Sequence, residues 1–343
     1  MKDFLLKYLS VGSYVFPVSW LSTITGQRFI APFYHCISDE PVSHIRHLYS
    51  IKNKKSFEKD LDYLLKYFEP LNLSSLLDSI NTDRPLKKNT FLLSFDDGLK
   101  EFYNVAAPIL KRKGVPAVCF LNSDFLDNKD LFFRYKASLL IEKLKSERSV
   151  KKVANFLKEK EFSIVDLKQY ILCVDYNSRA VLDELAQILE VNFNEYLEKE
   201  KPYMDSGQVK GLIKQGFYFG AHSVDHPMFC EISEEAQLWQ IQSSVSDICQ
   251  KFDLDYKVFS FPFSDYGVNE SLFEKMYRFN NSLVDLSFGT AGIKMDVCKN
   301  HVQRIPMEYH SFSARKLIFA EYLYYMIKAP FNKNRIIRKY GDT

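Results

Sequence analysis

The sequence lacks the cysteine patterns that indicate a disulfide framework or a zinc ribbon. Its 343 residues include six cysteines, which are scattered along the chain and form no C-x-x-C pair. Small secreted domains and zinc ribbons depend on closely spaced cysteines, so this distribution argues against both and is compatible with a reducing compartment. We therefore expect free, buried thiols.

Strong charge and a long apolar run are also missing. The formal net charge of +3 is too small to indicate a nucleic-acid-binding protein. Residues 8–27 carry no charged side chain, but serines, glycine and proline interrupt them, so they lack the continuous apolar core of a membrane span or a signal peptide. We expect a helix here that lies on the protein or at a membrane interface. We expect the protein to be cytoplasmic, and the interfacial alternative for this helix would attach it peripherally to the inner face of the membrane.

What is present fits one folded domain over residues 1–343. Hydrophobic residues make up 46% of the chain and charged residues 26%, which is ordinary for a soluble globular protein. A chain of this length can form one α/β barrel with insertions or two smaller domains, and we favour the single domain.

Seven short apolar segments alternate with amphipathic helical patterns. They lie near residues 29–35, 90–95, 117–121, 216–221, 257–261, 282–288 and 302–307. Strand, helix and strand with short connections indicate a parallel sheet, in which the carboxyl ends of the strands meet at one face.

Two parts of the chain fall outside this alternation. Residues 131–204 have mixed-charge helical patterns and are expected to form a helical insertion that shapes or covers a substrate cleft. Residues 308–343 are expected to form a basic, aromatic, helical C-terminal tail. Such a tail is consistent with contact with anionic lipid or, alternatively, with a plain solvated helix.

Two adjacent acids, Asp96 and Asp97, follow the second apolar segment and precede Gly98. Taken alone, this sequence is typical of a solvated turn. Neighbouring carboxylates repel each other, however, and a metal ion is the simplest compensation. His222 and His226 follow a later strand, and in a parallel barrel both pairs would lie on the same carboxyl-end face.

The spacing of the two histidines predicts that both imidazoles project from one side of a helical turn toward one metal ion. Two histidines and one carboxylate leave an open position, which is the arrangement of a catalytic site rather than a closed structural one. The other acid is then free to hydrogen-bond a water and act as a general base. Zinc, iron, cobalt and nickel all suit such a ligand set.

These motifs resemble those of the NodB-like polysaccharide deacetylases, carbohydrate esterase family 4. The Ser-Phe-Asp-Asp-Gly segment 94–98 and the His-Ser-Val-Asp-His segment 222–226 are similar to its first two motifs and occur in the same order. Residues 259–267 are similar to its aromatic-proline third motif, and residues 34–35 and 304–306 resemble one branch of the family. The resemblance implies a distorted (β/α)7 barrel with one divalent metal ion, often zinc.

The resemblance also implies roles for individual residues. Asp97, His222 and His226 would be the metal ligands, and Asp96 would be the catalytic base that takes a proton from the attacking water. In many members an arginine of the third motif orients the catalytic aspartate. No arginine lies there in this sequence. We expect Arg304, near the last strand, to replace it.

The general acid of the family comes from a late Leu-x-His motif, which has no clean match here. His301 and His310 are nearby, although each is more typical of a surface or packing histidine. His35 closes the first predicted strand, where a role in substrate binding or protonation competes evenly with a structural one.

Residues around the third motif are candidates for substrate contact. A backbone N–H near Phe263 would help to stabilise the oxyanion of an acyl-transfer reaction. Asp265 and Tyr266 could contact sugar hydroxyls, or simply form a turn that Gly267 completes.

The leading hypothesis is a metal-dependent hydrolase that removes an N-acetyl group from an amino sugar in a polysaccharide or in a glycan precursor, which could be lipid-linked. One alternative is a glycan-binding barrel that has lost turnover, and another is the same site acting on an ester or a different acyl group. The expected partner is an acetylated amino-sugar glycan and not a nucleic acid. Peripheral membrane contact would involve the N-terminal segment or the basic tail.

Overall fold

Seven parallel strand segments form a barrel with helices packed around its outside. The structure is a computed structural model that describes residues 8–14, 17–159, 166–278, 282–308 and 312–338. In chain order the segments are β1 (Pro32–Tyr34), β2 (Leu93–Phe95), β3 (Ala117–Leu121), β4 (Tyr218–Ala221), β5 (Val258–Ser260), β6 (Leu286–Gly289) and β7 (His301–Gln303 with Ile305–Pro306). Neighbours in this order are paired side by side. The predicted (β/α)7 barrel is confirmed.

The barrel closes because β7 is interrupted in its middle. His301–Gln303 pairs with β6, whereas Ile305–Pro306 pairs with β1, and both pairings are parallel. Arg304, between the two halves, turns its side chain into the barrel, where the guanidinium carbon lies 4.2 Å from the ring centre of Phe33. The carboxyl ends of the strands consequently surround one rim.

Side chains along β3 alternate between the inside and the outside of the barrel. Val118 and Phe120 belong to the cluster inside, while Ala117, Cys119 and Leu121 pack in the larger cluster against the helices. Strands that are covered on both faces must be apolar throughout, as is usual in parallel barrels. This explains why the strands appear in the sequence as short continuous apolar runs.

The α-helices span Val18–Thr25, Lys54–Tyr67, Leu73–Asn81, Ala107–Lys113, Phe133–Lys143, Glu147–Glu159, Leu167–Cys173, Ala180–Ile188, Phe193–Glu200, Ser206–Ile213, Glu234–Phe252, Glu270–Met276 and Ala314–Lys328. Short 3₁₀ turns are Ser10–Tyr14, Leu126–Asn128, Phe229–Glu231 and Ala329–Phe331, and Phe102–Ala106 is a π-helical turn. Two-residue strands Phe29–Ile30, Glu69–Pro70 and Thr90–Phe91 form a small parallel sheet, and Met295–Asp296 pairs with Arg335–Ile336. Within the described ranges, no helix combines the length and apolarity that crossing a membrane requires.

The described part of residues 131–204, called the insertion below, consists of helices that share their own hydrophobic core. Leu140, Ile171 and Leu182 are fully buried in it. Residues 36–51, called the rim loop below, add Cys36 and Ile45 to the same cluster. The insertion and the rim loop therefore pack together as one unit.

Residues 329–338 of the tail are mostly exposed, but the C-terminal helix Ala314–Lys328 is largely buried and is not the plain solvated helix that we considered. It packs against the N-terminal helix Val18–Thr25 and against Lys54–Tyr67. Its buried side chains include Leu317, Ile318, Phe319 and Tyr322. The aromatic residues of this segment pack inside the protein because the helix fills a groove between other helices.

All six cysteines are free thiols. Cys36 and Cys119 are buried as expected, but Cys173 and Cys230 are exposed. The expectation that all the cysteines are buried is therefore wrong for two of them. Cys173 is the last residue of a helix and Cys230 lies in a 3₁₀ turn, and both side chains face the surface.

Candidate active site

The chain leaves β2 through a tight left-handed turn that brings Asp96 and Asp97 to the rim. Asp97 has a φ of 70° and Gly98 a φ of 65°, in the backbone region that favours glycine. A Cβ atom on Gly98 would lie 2.7 Å from the side chain of Leu121, so a larger residue would clash there. Only 2% of Asp96 and 5% of Asp97 are exposed, which rules out a solvated turn.

Arg304 binds Asp96 through two parallel hydrogen bonds. Its Nη1 and Nη2 atoms donate to Oδ1 and Oδ2 at 2.8 Å and 2.7 Å. The remaining N–H groups donate to the hydroxyls of Ser94 and Ser260 and to the carbonyl of Gly289, so all five guanidinium donors are used. Burial raises the pKa of Asp96, but the charge of Arg304 outweighs it and holds that pKa below its usual value. Asp96 is therefore a fixed, ionised carboxylate.

Asp97, His222 and His226 converge on one point. Oδ1 of Asp97 lies 3.6 Å from Nε2 of His222 and 3.3 Å from Nε2 of His226. Nδ1 of His222 is 2.8 Å from the carbonyl oxygen of Ser260, so Nδ1 carries the hydrogen and the lone pair of Nε2 faces Asp97. Burial lowers the pKa of His222 to about 4, and the ring is neutral at pH 7.

These three residues could hold a divalent metal ion. Oδ1 of Asp97 is buried and has no hydrogen-bond partner among the described residues, a costly state for a polar atom unless a cation compensates it. Ligand atoms at about 2.0–2.1 Å from a tetrahedral zinc ion stand about 3.4 Å apart. The 3.3 Å and 3.6 Å separations from Oδ1 of Asp97 match that spacing.

The two histidines do not lie on a helix, so the prediction that they share a helical turn is wrong. Residues 222–228 form an irregular loop after β4, with left-handed φ angles of 71° at Ser223 and 63° at His226. The Ser223 hydroxyl accepts hydrogen bonds from the backbone N–H of His226 at 3.0 Å and from the Asn122 amide at 3.3 Å. This serine-centred turn brings the ring of His226 to that of His222.

The insertion, which we expected to shape or cover the cleft, reaches the same residues through Tyr135 and Phe132, and neither of these was nominated from the sequence. The Tyr135 hydroxyl donates to Oδ2 of Asp97 at 2.8 Å. The Phe132 ring lies 4.3 Å, centre to centre, from the ring of His226. The aromatic run at the start of the insertion was the available signal, but its position against Asp97 and His226 depends on tertiary packing.

His35 forms an ion pair with Glu308, a second residue that the sequence analysis missed. Nδ1 of His35 lies 2.5 Å from Oε2 of Glu308, whose other oxygen accepts the backbone N–H of Cys36 at 2.8 Å. Burial lowers the pKa of His35, but the charge and hydrogen bond of Glu308, together with the nearby aspartates, raise it to about 9. His35 is therefore an imidazolium at neutral pH.

One cleft of about 460 Å³ joins these groups. Its polar lining comprises His35, Asp96, Asp97, Arg134, His222, His226, Thr290 and Glu308, and its apolar walls are Phe33, Leu48, Tyr49, Phe132, Phe261, Phe263 and Pro306. Apolar walls with a few convergent polar groups are typical of a small-ligand site, and the volume falls in the usual range of roughly 300–1,000 Å³.

Residues of the third motif separate in the structure. Phe263 lines the cleft, with its ring centre 4.6 Å from that of His226. Tyr266 is 85% exposed and borders a different surface pocket, so the predicted contact with sugar in this cleft is not supported. Asp265 is buried and accepts a hydrogen bond from Arg338 at 2.8 Å, which makes it a structural residue.

His301, a candidate general acid, does not line the cleft. Its Nε2 lies 3.2 Å from Oδ2 of Asp265. With Asp296 these residues form a second acid–histidine group, but Arg338 donates to Asp265 at 2.8 Å and to Asp296 at 2.6 Å. His310 lies outside the described residues.

The model of the family named polysaccharide deacetylase matches residues 83–164 and 166–277, which is more than half of the chain. The chain belongs to the polysaccharide deacetylase family. The matched ranges contain Asp96, Asp97, His222 and His226. Membership supports glycan deacetylation, a hydrolytic reaction, as the class of activity.

Three solved structures have a similar fold. They are the Streptococcus pyogenes deacetylase PplD in complex with acetate (TM-score 0.54, 16% identity, covering 85% of this chain and 97% of that chain), a de-N-acetylase from Aggregatibacter actinomycetemcomitans (0.52, 13%, 84% and 98%) and IcaB from Ammonifex degensii (0.50, 13%, 86% and 98%). At these identities the likeness establishes the fold alone. No curated protein sequence matches the chain.

Proposed function

We propose that the protein is a metal-dependent hydrolase that removes an N-acetyl group from an amino sugar of a glycan or of a glycan precursor. The observation that carries this proposal is that two neighbouring carboxylates in one cleft are held differently. Asp96 is clamped by Arg304, whereas Oδ1 of Asp97 is open toward two imidazoles. Such a division suits a base beside a metal ligand.

Asp97, His222 and His226 would hold the metal. A bound divalent ion supplies Lewis acidity toward the acetyl carbonyl oxygen and increases the acidity of a water. We propose zinc, because two imidazoles and one carboxylate with an open position are a frequent catalytic zinc set. Iron, cobalt and nickel are the other candidates.

Asp96 would accept a proton from the attacking water. The two hydrogen bonds from Arg304 fix the plane of its carboxylate and keep it ionised. Oδ2 of Asp96 lies 4.0 Å from Nε2 of His222, so the base is next to the ligand set.

His35 would protonate the leaving amine. Its Nδ1 is engaged by Glu308, which leaves the Nε2–H of the imidazolium to be donated. As the C–N bond of the amide breaks and the new C–O bond forms, acetate and a free amine result. A backbone N–H near Phe263 remains our candidate for the oxyanion, where one good donor contributes about 3–4 kcal/mol.

A glycan-binding barrel without turnover is the second candidate function. It rested on the missing arginine of the third motif and on the missing general acid. Arg304 and the His35–Glu308 pair are candidates for these two roles, and they favour the catalytic proposal.

Lipid contact through the N-terminal helix stays a prediction. Trp20 and Ile24 are 52% and 50% exposed on that helix, which supports an interfacial position. Cosedimentation with anionic vesicles measures it.

Acetate release from N-acetylglucosamine oligomers tests the proposed function. We expect zinc-dependent release that EDTA stops. Asp96→Asn should keep the metal and lose roughly 10²–10⁴ of the rate, because the base is removed while the ligands remain. Asp285→Asn is the matched control. This aspartate precedes the amino end of β6, on the side of the barrel away from the cleft, so the variant should keep the wild-type rate. Full activity of Asp96→Asn with zinc bound would remove the base assignment, and zinc binding without release from any N- or O-acetylated sugar would favour the binding protein.

A further inference from the structure

The two oxygens of Asp97 have different surroundings. Oδ2 accepts the hydroxyl of Tyr135 at 2.8 Å, whereas Oδ1 faces the imidazoles and has no hydrogen-bond partner among the residues that the structure describes. Rotation about the terminal bond of an aspartate is soft, so a carboxylate without such a partner samples many orientations. The bond from Tyr135 selects the orientation in which one oxygen faces the histidines.

Tyr135 is itself held by its surroundings. Its side chain is fully buried at the start of the helix Phe133–Lys143. Its ring centre lies 4.7 Å from that of His44 and 5.0 Å from that of Phe132, and its hydroxyl lies 3.4 Å from that of Tyr49. His44 and Tyr49 belong to the rim loop. The phenol is protonated at neutral pH and acts as a donor to Asp97.

A second contact joins the insertion to another ligand. The Phe132 ring packs 4.3 Å from that of His226, and the backbone N–H of Phe132 donates to the hydroxyl of Tyr203 at 3.1 Å. Phe132 and Tyr135 both belong to the hydrophobic cluster of the insertion. Two of the three candidate ligands are therefore in contact with a segment that lies outside the regular alternation of strands and helices.

We propose that Tyr135 is a positioning residue for Asp97, and that through it docking of the insertion and metal binding stabilise each other. This inference rests on the proposed metal site. Coupling between two such events is reciprocal, so an insertion that strengthens metal binding must itself be stabilised by the metal to the same extent. Loss of a hydrogen-bond partner of a metal ligand typically weakens metal affinity by roughly 10–100-fold.

Tyr135→Phe tests the positioning role, because phenylalanine keeps the ring and removes only the hydroxyl. We expect its zinc affinity, measured by competition with a chelator of known affinity, to fall by roughly 10–100-fold. Tyr196→Phe is the matched control. It removes a hydroxyl that lies 2.9 Å from Nδ1 of His44 in the same cluster and touches no candidate ligand, so its zinc affinity should equal that of the wild type. Circular dichroism of the metal-free proteins verifies that both variants fold.

Hydrogen–deuterium exchange on the full chain tests the coupling without any activity measurement. Zinc should slow exchange in the helix Phe133–Lys143 of the wild type and leave the distant helix Leu73–Asn81 unchanged. Tyr135→Phe should lose this protection at the same zinc saturation, while Tyr196→Phe keeps it.

The outcomes separate this inference from the function on which it rests. Equal zinc affinities of Tyr135→Phe and the wild type, or zinc-dependent protection that persists in Tyr135→Phe, would overturn the role of Tyr135 and leave the deacetylase proposal intact. A wild-type protein that binds no zinc, iron, cobalt or nickel would overturn the metal site and this inference together.

Discussion

Two groups of acids and histidines in this protein have similar composition and opposite surroundings. The cleft group is Asp97, His222 and His226, and the buried group is Asp265, Asp296 and His301. In the buried group Arg338 donates to both carboxylates, and Gln303 donates to the same two. In the cleft group one carboxylate oxygen lacks any such donor among the described residues. Protein donors therefore neutralise both carboxylates of the buried group, whereas Oδ1 of Asp97 is left open, and we propose that a metal ion compensates it there.

Removal of one acid from each group should have the largest effect and the clearest contrast. Asp97→Ala should bring zinc content from about one per chain to near zero and reduce acetate release to background, because a carboxylate ligand is lost. Asp296→Ala should keep the zinc content of the wild type. Elemental analysis of the folded proteins checks both. Zinc retained by Asp97→Ala would mean that the cleft group does not hold the metal. Zinc lost only in Asp296→Ala would mean that the buried group holds it.

Removal of the cation from the buried group should affect stability instead of catalysis. Arg338→Met leaves Asp265 and Asp296 buried without their guanidinium, and breaking such a pair typically costs about 3–5 kcal/mol. Denaturant unfolding of the metal-free protein measures this loss. Arg335→Met, at an exposed position on the same segment, is the control. Its free energy of unfolding should stay within about 0.5 kcal/mol of that of the wild type.

Arg338→Met should also change the metal content of the protein. Without its cation, the buried group keeps the Gln303 amide on both carboxylates but loses its positive charge, so zinc content of Arg338→Met should rise above that of the wild type if this charge is what excludes a metal. An unchanged zinc content with the expected loss of stability would mean that the geometry of the buried group, and not only Arg338, excludes a metal.

Local patterns predicted a parallel α/β sheet with acids and histidines at its carboxyl ends, and the family resemblance added that the sheet closes into a seven-stranded barrel. Strand and helix periodicity is local, so the seven segments could be recognised before any tertiary contact was known. Asp96, Asp97, His222 and His226 follow strands whose carboxyl ends must meet, which places them on one rim. Arg304 could be nominated because the family resemblance requires an arginine beside the catalytic aspartate and this one lies in the last predicted strand, in the middle of β7.

The remaining features depend on contacts that periodicity does not encode. Tyr135 and Glu308 reach the cleft from an insertion and from the chain after β7, and no local pattern gives their positions. The histidine spacing predicted a helical turn, but the hydroxyl of Ser223 favours a different one, as serine side chains often do. Tyr266 was nominated from its neighbours in sequence and points elsewhere because the chain turns at Gly267.

The His35–Glu308 pair combines features of both groups, and its titration should give the smallest effect. The charges of His35 and Glu308 compensate each other, as the charges within the buried group do, yet both residues line the cleft. Glu308 contributes most to raising the pKa of His35 to about 9, so a general acid at this position is protonated below that pH. The basic limb of the kcat/KM profile should therefore lie near pH 9.

Glu308→Gln keeps the shape of the pair and removes its charge, so the pKa of His35 should fall. The basic limb of the kcat/KM profile should then move to lower pH, with little change at pH 6 and a several-fold loss at pH 8. His301→Gln alters a histidine of the buried group and should leave the limb where it is in the wild type. If the limb stays in place in Glu308→Gln as well, His35 does not donate the proton, and the pair is structural in the same way as the buried group.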